Sequence, residues 1–488
     1  MEFKPAPEYV DTVLAINFED AQHYFASALL EIHLAHTLML ARQKILTPTE
    51  ARVCLAAIDG LDREQIAKAA YTGQFEDFFF YVEHSLEQLG DPAVIGKIHT
   101  ARSRNDIDIT LYRICFRREL LQLGEEICSL RAALLDLAAD HVGTVMPAYT
   151  HTQPAQPTTL AHYLLAVAEF LGRDLERVRA AFAVVNRSPM GACAITTTAF
   201  PIDREYTAEL LGFEGLQLNS YGCIAAVDYL TQSASAVAVC MVSMGRFVQD
   251  MLMWCTHEFG FLRVQEGYVQ ISSIMPQKRN PVSFEHSRIL ASKAFSQAQA
   301  VLTALHNTPF ADMVDAEDDL QPLLFSTFKD AHRAVSLLTA VMRHCDVDTE
   351  KLLRRANRDF LTVTELADTL VRREGISFRE AHQLVSAMVK KAGSDDLPEH
   401  LIAVLRELAP GILGRSLETR EDLLREALDA EHFVRIRTIP GGPAPVAVKS
   451  AHAAMEEQLR NDRAWLAEKQ ARMDAYRARL TELKSEWK

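Results

Sequence analysis

The sequence predicts a mostly α protein organised around a bundle of long helices, and three observations carry that expectation. Glycine (20) and proline (18) are few across 488 residues, which favours long uninterrupted helices over many short turns. Apolar residues recur at steps of three and four over long windows. Strict apolar–polar alternation is nearly absent, so little sheet is expected.

Taken along the chain, the helix signals are local and specific. Thr47-Pro48-Thr49-Glu50 places a capping hydroxyl, a first-turn proline and a returning carboxylate in order. Leu164, Val167, Leu171, Leu175, Val178, Phe182 and Val185 trace one apolar stripe of an amphipathic helix. Tyr229 to Trp254 is apolar nearly all round and dotted with Ser, Ala and Gly, which predicts a helix buried on every side and oligomerisation through it. Asn280-Pro281 reads as an N-cap and first-turn proline opening a helix to about Leu305. Ser377 and Glu380 repeat the capping-box spacing after Gly375, which can close the preceding helix. Gly441-Gly442-Pro443 reads as a turn, and Ala451 to Lys488, dense in Glu, Arg, Lys and Ala, as a solvated helix. The expected division is a helical N-terminal domain (1–106), a central bundle (107–355) and a helical C-terminal domain with an extended terminal helix (356–488).

Composition narrows the function. Fifty-one Lys and Arg against 65 Asp and Glu give a formal charge of −14, the wrong sign for wrapping nucleic acid. The cysteines at 54, 115, 128, 193, 223, 240, 255 and 345 never fall within four residues of each other, which removes CxxC redox and zinc readings and fits free thiols in a reducing compartment. The first twenty residues lack the apolar core of a signal peptide, and the apolar run Ala234 to Met244 is too short to span a bilayer. A cytoplasmic location with no membrane partner follows as the expectation. No Gly-rich phosphate loop is visible.

Three polar islands interrupt the helical pattern. They are His99-Thr100-Ala101-Arg102-Ser103-Arg104-Asn105-Asp106, Tyr149-Thr150-His151-Thr152-Gln153-Pro154-Ala155-Gln156-Pro157, and Ile271-Ser272-Ser273-Ile274-Met275-Pro276-Gln277-Lys278-Arg279-Asn280-Pro281. Each sets hydroxyl or amide donors beside a cation or an imidazole, a mixture that suits a small dianion. Singly, each has a plainer reading: Arg102 and Arg104 paired with surface acids, His151 a structural histidine among prolines, Ser272-Ser273 a loop before a capped helix.

Together the islands resemble the fumarase/aspartase superfamily of β-eliminating lyases, and within it the argininosuccinate lyases. SSIMPQKRNP is similar to the superfamily signature GSSxMPxKxNP, IGKIHTARSRNDIDIT to GKLHTGRSRND, and AYTHTQPAQPTTLAHY to YTHLQxAQP. PMGACAITTTAFPIDREYTAELLGF and ELADTLVRREGISFREAHQLV extend the likeness to about 30–450. The resemblance implies a mostly α, three-domain homotetramer whose central long-helix bundles form the core, with each active site assembled from three islands on three subunits. It implies reversible β-elimination of an amine from an N-substituted L-aspartate, releasing fumarate, with no cofactor and no metal. By the same resemblance Ser272 is the catalytic base, Lys278 and Asn280 clamp the aci-carboxylate, and Ser273 and Met275 belong to the same substrate-binding segment. Thr150, Ser103 and Asn105 hold the other carboxylate with Arg104 nearby, and Glu285 holds His151, the pair assisting proton delivery to the departing nitrogen. A serine is a poor base in water, so Ser272 can serve only where donors stabilise its alkoxide.

Four departures from the family pattern are one-sided. Its NSxDAVSDRDF segment here reads Asn219-Ser220-Tyr221-Gly222-Cys223-Ile224-Ala225-Ala226-Val227-Asp228-Tyr229. Between His306 and Phe325 there is no Tyr and no Lys; the stretch is acidic instead, with Asp312, Asp315, Glu317, Asp318 and Asp319. Ile271 stands where the family has Gly, and Val282 where it has Asp. The groups expected to hold the dicarboxylate are kept and those expected to read the leaving group are changed. The expectation is a lyase whose leaving group differs from arginine, with the acidic stretch either attracting a cationic amine or forming a solvated loop. The rivals are an authentic argininosuccinate lyase of arginine biosynthesis, a non-catalytic crystallin-like oligomer, and a metal hydrolase using His33 and His36.

Overall fold

A computed structural model gives the structure of residues 4–487; positions 1–3 and 488, the outer ends of the expected first and third domains, lie outside the described residues. The long helices are α1 (Ala15–Arg42), α2 (Arg104–Asp140), α3 (Leu160–Val185), α4 (Asp228–Trp254), α5 (Val282–Leu305), α6 (Gln321–Met342) and α7 (Pro445–Ser485). Helices α2 to α6 close a ring in which α2 packs on α3, α3 on α4, α4 on α5, α5 on α6 and α6 back on α2. The stripe expected from Leu164 is the face α3 buries: Leu164, Val167, Leu171, Leu175, Val178, Phe182 and Val185 are all in the core.

The caps form as expected. Thr47 N–H donates to Glu50 Oε2 at 2.8 Å and Glu50 N–H to Thr47 Oγ1 at 3.3 Å. Ser377 and Glu380 repeat this pair at 2.8 and 3.3 Å, just past Gly375, whose φ of +66° closes the preceding helix. One expected cap is corrected. Asn280 does not cap α5; it pairs with Gln270 in a two-residue ribbon, and Pro281 occupies the cap position. The proline fixes the turn, and the neighbouring ribbon captures the asparagine backbone.

Sheet is confined to three two-stranded antiparallel ribbons among the described residues. The second polar island forms one of them, β1 (Val145–Thr150) with β2 (Gln153–Thr159), which the prolines disguise in the sequence. A two-stranded ribbon has only edges, so Pro147 and Pro157 can face each other without breaking a ladder. The turn is His151-Thr152, with φ of +51° and +62°. Both residues therefore sit in the left-handed region, where a β-branched threonine is strained.

Most of the long helices share one core, which runs from Phe18 to Leu352 and takes in Val448, Leu459, Leu466, Met473, Tyr476, Leu480 and Leu483 of α7. A second core, Leu366 to Leu428, belongs to the segment between. The terminal helix is therefore not simply solvated. It lies against α1, α2, α3 and the helix Arg204–Leu210, so closely that a Cβ at Gly212 (φ +69°) would stand 2.2 Å from the Tyr476 ring. Asp462 of α7 pairs with the fully buried Arg131 and, at 2.7 Å, with Arg179. Helix α4 departs in the other direction. It is apolar as expected, yet Val239 (40% exposed) and Val242 (46%) lie open, as does Ile289 (54%) on α5. Two helical stretches, Pro7–Arg42 and Asp228–Trp254, are long and apolar enough by composition to cross a membrane, and both are partly packed into this fold.

Two outcomes follow from these contacts. Asp462→Ala leaves Arg131 buried without its counter-charge and should cost about 3–5 kcal/mol, read as a fall in denaturation midpoint; an unchanged midpoint would show that the α7 anchor contributes nothing. Thr152→Gly removes left-handed strain and should stabilise by about 1 kcal/mol, whereas a lowered melting temperature would refute strain at that turn.

Candidate active site

Each polar island lies just N-terminal to a bundle helix: the first opens α2, the second is the ribbon leading into α3, and the third ends at α5. Helix N-termini present unpaired N–H groups and a partial positive charge, a setting that favours anions.

In the first island, Ser103 precedes α2 and its N–H donates to Asp106 Oδ1 at 2.7 Å. Ser103 Oγ donates to Asn105 Oδ1 at 2.5 Å. Asp106 is buried; its Oδ2 accepts from Gly191 N–H at 2.8 Å and Cys193 N–H at 3.2 Å, fastening the 191–193 loop beside the island. Burial raises the Asp106 carboxyl above its ordinary range, against the pull of these donors. Arg102 is no surface residue: it is buried, paired with Glu83 at 2.8 Å, and its guanidinium is destabilised by desolvation. Arg104 is held by Asp77 and Glu76, and Asn105 Nδ2 donates to Asp312. The acidic stretch thus folds back onto the first island. Its course is fixed by Tyr221, which stacks on Phe310 at 5.9 Å and donates its hydroxyl to the Phe310 carbonyl at 3.1 Å.

In the second island, Thr150 ends β1 and His151 occupies the strained turn, both exposed to solvent. The third island is a hairpin loop. Gln270–Ile271 pairs with Arg279–Asn280, so residues 272–278 project as one excursion between fixed ends, exposed from Ser273 to Lys278 with Ser272 half-buried. At its base, Ser272 Oγ accepts from Met275 N–H at 3.0 Å and from Ile274 N–H at 3.4 Å. The turn is tightened by Lys278 N–H donating to the Met275 carbonyl at 3.0 Å. Ser273 is exposed, and Met275 is 38% exposed. Glu285 stands exposed on the first turn of α5.

One copy of the chain does not bring the islands together. Ser103, Arg104 and Asn105 line a cavity of about 440 Å³, Lys278 and Asn280 one of about 840 Å³, and Thr152 the rim of one of about 1130 Å³. The side chains of Thr150, His151, Ser273, Lys278, Asn280 and Glu285 make no hydrogen bond or ion pair among the described residues. His151 and Glu285 are therefore not joined within a chain.

Sequence reasoning missed three participants in this geometry: Asp77, Glu83 and Tyr221. Glu83 and Asp77 sit on the edge and cap of the short helix Phe78–Glu87, remote in sequence from the island they hold. Only the Tyr221 position carried a signal, since it falls inside a departing motif. The histidine pair on α1 is buried. Desolvation pushes His36 down to about 3 and His33 well below its ordinary value, while His36 Nε2–H donates to the Thr100 carbonyl at 2.9 Å. Among the described residues no group of three or more His, Cys, Asp or Glu is arranged to hold a metal ion.

Comparison with known proteins converges on one group. A lyase family model matches residues 62–296, and an argininosuccinate lyase C-terminal model matches residues 360–435. Argininosuccinate lyase 2 of Agrobacterium fabrum is 42% identical over 458 residues, covering 93% of this chain and 91% of that protein. The crystal structure of EDDS lyase in complex with formate superposes with a TM-score of 0.88 at 31% identity, covering 99% of this chain and 96% of that one. The fumarate lyase from Mesorhizobium sp. BNC1, at 19% identity and a TM-score of 0.71 over 89% of this chain and 94% of that one, shares the fold. The chain belongs to the argininosuccinate lyase family within the fumarase/aspartase superfamily, and it is a carbon–nitrogen lyase that releases fumarate.

Proposed function

We propose that the chain catalyses reversible β-elimination of an amine from an N-substituted L-aspartate, with Ser272 as base. The observation that carries this reading is the pair of backbone N–H groups, from Ile274 and Met275, converging on Ser272 Oγ. Those donors stabilise an alkoxide in place, which is what a serine needs to act as a base. The alkoxide takes the proton from the carbon next to the distal carboxylate. The electron pair moves into that carboxylate, which Lys278 and Asn280 clamp in its aci form with Ser273 and Met275 alongside. The pair then returns to form the carbon–carbon double bond and the C–N bond breaks toward nitrogen. The nitrogen takes a proton with help from His151 and Glu285, so the proton lost from carbon balances the one gained by the amine. Thr150, Ser103 and Asn105 hold the second carboxylate, beside Arg104.

This assignment requires more than one copy of the chain. We place each site at the meeting of three chains in a homotetramer, with the open face of α4 and α5 as the packing surface. Support comes from Val239, Val242 and Ile289, which are exposed where apolar residues gain from being covered. In the division 1–106, 107–355 and 356–488, the first part leads to the first island, the second is the bundle, and the third has its own core from Leu366 to Leu428 while its terminal helix packs back on the bundle. A cytoplasmic setting fits the free cysteines. The substrate partner is a small dicarboxylate, with no role for nucleic acid or membrane.

The relative from Agrobacterium fabrum is named an argininosuccinate lyase, and EDDS lyase matches over nearly the whole chain. Both relatives support a fumarate-releasing C–N lyase and leave the amine open, so argininosuccinate belongs in the first assay. Ser272→Ala should lower kcat by about 10²–10⁴, and Lys278→Met by about 10²–10³, in fumarate release from N-substituted aspartates with secondary structure retained. Full activity in Ser272→Ala would remove Ser272 as the base.

A further inference from the structure

Both arginines of the first island are held by one short helix. Asp77, the N-cap of Phe78–Glu87, pairs with Arg104, and Glu83, toward the other end, takes Arg102 at 2.8 Å. Ser103 stands between those arginines, so the helix fixes the chain on either side of it. Ring faces support both cations: the Arg102 guanidinium lies 6.0 Å from the Phe79 ring and that of Arg104 5.2 Å from Phe80.

The two grips differ in burial. The Arg102 side chain is fully buried, whereas that of Arg104 is 39% exposed. Nε and Nη1 of Arg102 have no hydrogen-bond partner, and Glu83 makes its one ion pair among the described residues. A buried guanidinium depends on its counter-charge far more than a surface one does. Glu83 faces two further basic groups, His33 Nδ1 of α1 and His99 Nδ1 of the island, each at 3.8 Å. Burial, and then the Arg102 charge, hold both imidazoles below their ordinary values, so neither competes for the carboxylate near neutral pH. The remaining titratable neighbours are Glu87 beside Glu83, and His36 and Asp106 beside Arg102. Burial raises the Glu83 carboxyl above its ordinary range. Independently of these charges, the backbone of the island is strained. Ala101, just ahead of Arg102, has a φ of +59°, a left-handed conformation that persists in an alanine only where the surroundings impose it.

We propose that Glu83 is a positioning residue of the lyase reaction: through Arg102 it sets where Ser103 and Asn105 meet the substrate carboxylate, without touching substrate itself. The inference rests on the reading of Ser103 and Asn105 as carboxylate-binding residues. With the pair intact, these donors are in place before the dicarboxylate arrives. With Glu83 neutralised, Arg102 loses its counter-charge, the turn at Ala101 relaxes, and the two donors leave their places. Falling pH therefore loosens the grip by protonating Glu83. That is the opposite of the general trend, in which added positive charge favours a dianion.

Fumarate is the probe, titrated calorimetrically into the full-length protein in its native assembly. Glu83→Gln should weaken its Kd about ten-fold, and Glu83→Asp, which keeps the charge, should bind more tightly than Glu83→Gln. Glu83→Gln combined with Arg102→Met removes the pair without stranding a buried charge, which covers the case in which the single variant does not fold. The double variant should also bind about ten-fold more weakly. In the unaltered protein, affinity should fall between about pH 7 and about pH 5, and the fall should be missing in Glu83→Gln. With Asn105→Ala binding fumarate weakly, either of two results overturns the inference and leaves the lyase reading standing: a folded Glu83 variant, single or double, with wild-type affinity, or an unaltered protein whose affinity holds or rises over that range. Wild-type affinity in Asn105→Ala overturns the site reading and this inference with it.

Discussion

An uncovered apolar face on the bundle is the constraint around which the rest of the molecule is arranged. Helix α4 buries Val237, Cys240, Met241, Met244 and Phe247 inward, yet leaves Val239 and Val242 in solvent, and α5 adds Ile289. Apolar area left in water forgoes roughly 25 cal/mol for each Å² that could be covered. The same surface includes a shallow cleft of about 880 Å³ edged by Phe170, Met241 and Phe295. Small residues on the open side of α4, Ser243 and Gly245, leave room for another backbone to approach closely. The proposed association of chains through this face would bring together polar islands that one copy holds apart.

Rigidity behind the islands comes from buried charge. Arg113, Arg117 and Arg131 are fully buried along α2. Arg113 donates to the Val184 carbonyl at 2.7 Å and to Gln217 Oε1 at 2.8 Å; Arg117 donates to Asn186 Oδ1 and the Leu211 carbonyl, both at 3.0 Å. Desolvation lowers Arg117 to about 10, still charged at neutral pH, and it stacks over the Phe213 ring at 4.1 Å. These bonds tie the loops at 184–217 to the helix that opens with Ser103. Elimination without an electron sink depends on donors fixed before the reaction begins, and such fixing can supply several kcal/mol.

Much of this was legible in the sequence, for identifiable reasons. Capping residues act within three positions, so Thr47–Glu50 and Ser377–Glu380 could be read directly. The α3 stripe depends only on helical period. Misreadings arose where distant parts of the chain decide. Asn280 was claimed by a ribbon rather than by its helix, and the prolines of 147–157 concealed strands that need no ladder partner beyond each other. The terminal helix looked solvated because it is dense in Glu, Arg, Lys and Ala, although its Asp462 and Tyr476 are buried against partners hundreds of residues away. The composition of the acidic stretch was visible, but its return to Asn105 was not, since nothing local to Asp312 encodes a contact with residue 105.

The central claim is that Ser272 and His151 of one working site come from different copies of the chain. It is tested most directly by dissociating and reassociating a mixture of Ser272→Ala and His151→Asn proteins, each inactive alone. Random reassociation should leave about a quarter of the sites with both side chains intact, and fumarate release should recover in proportion. A parallel mixture of Ser272→Ala with Lys278→Met, whose changes share one loop, should recover nothing. Failure of the first mixture to regain activity, with mixed assemblies demonstrated, would contradict the account.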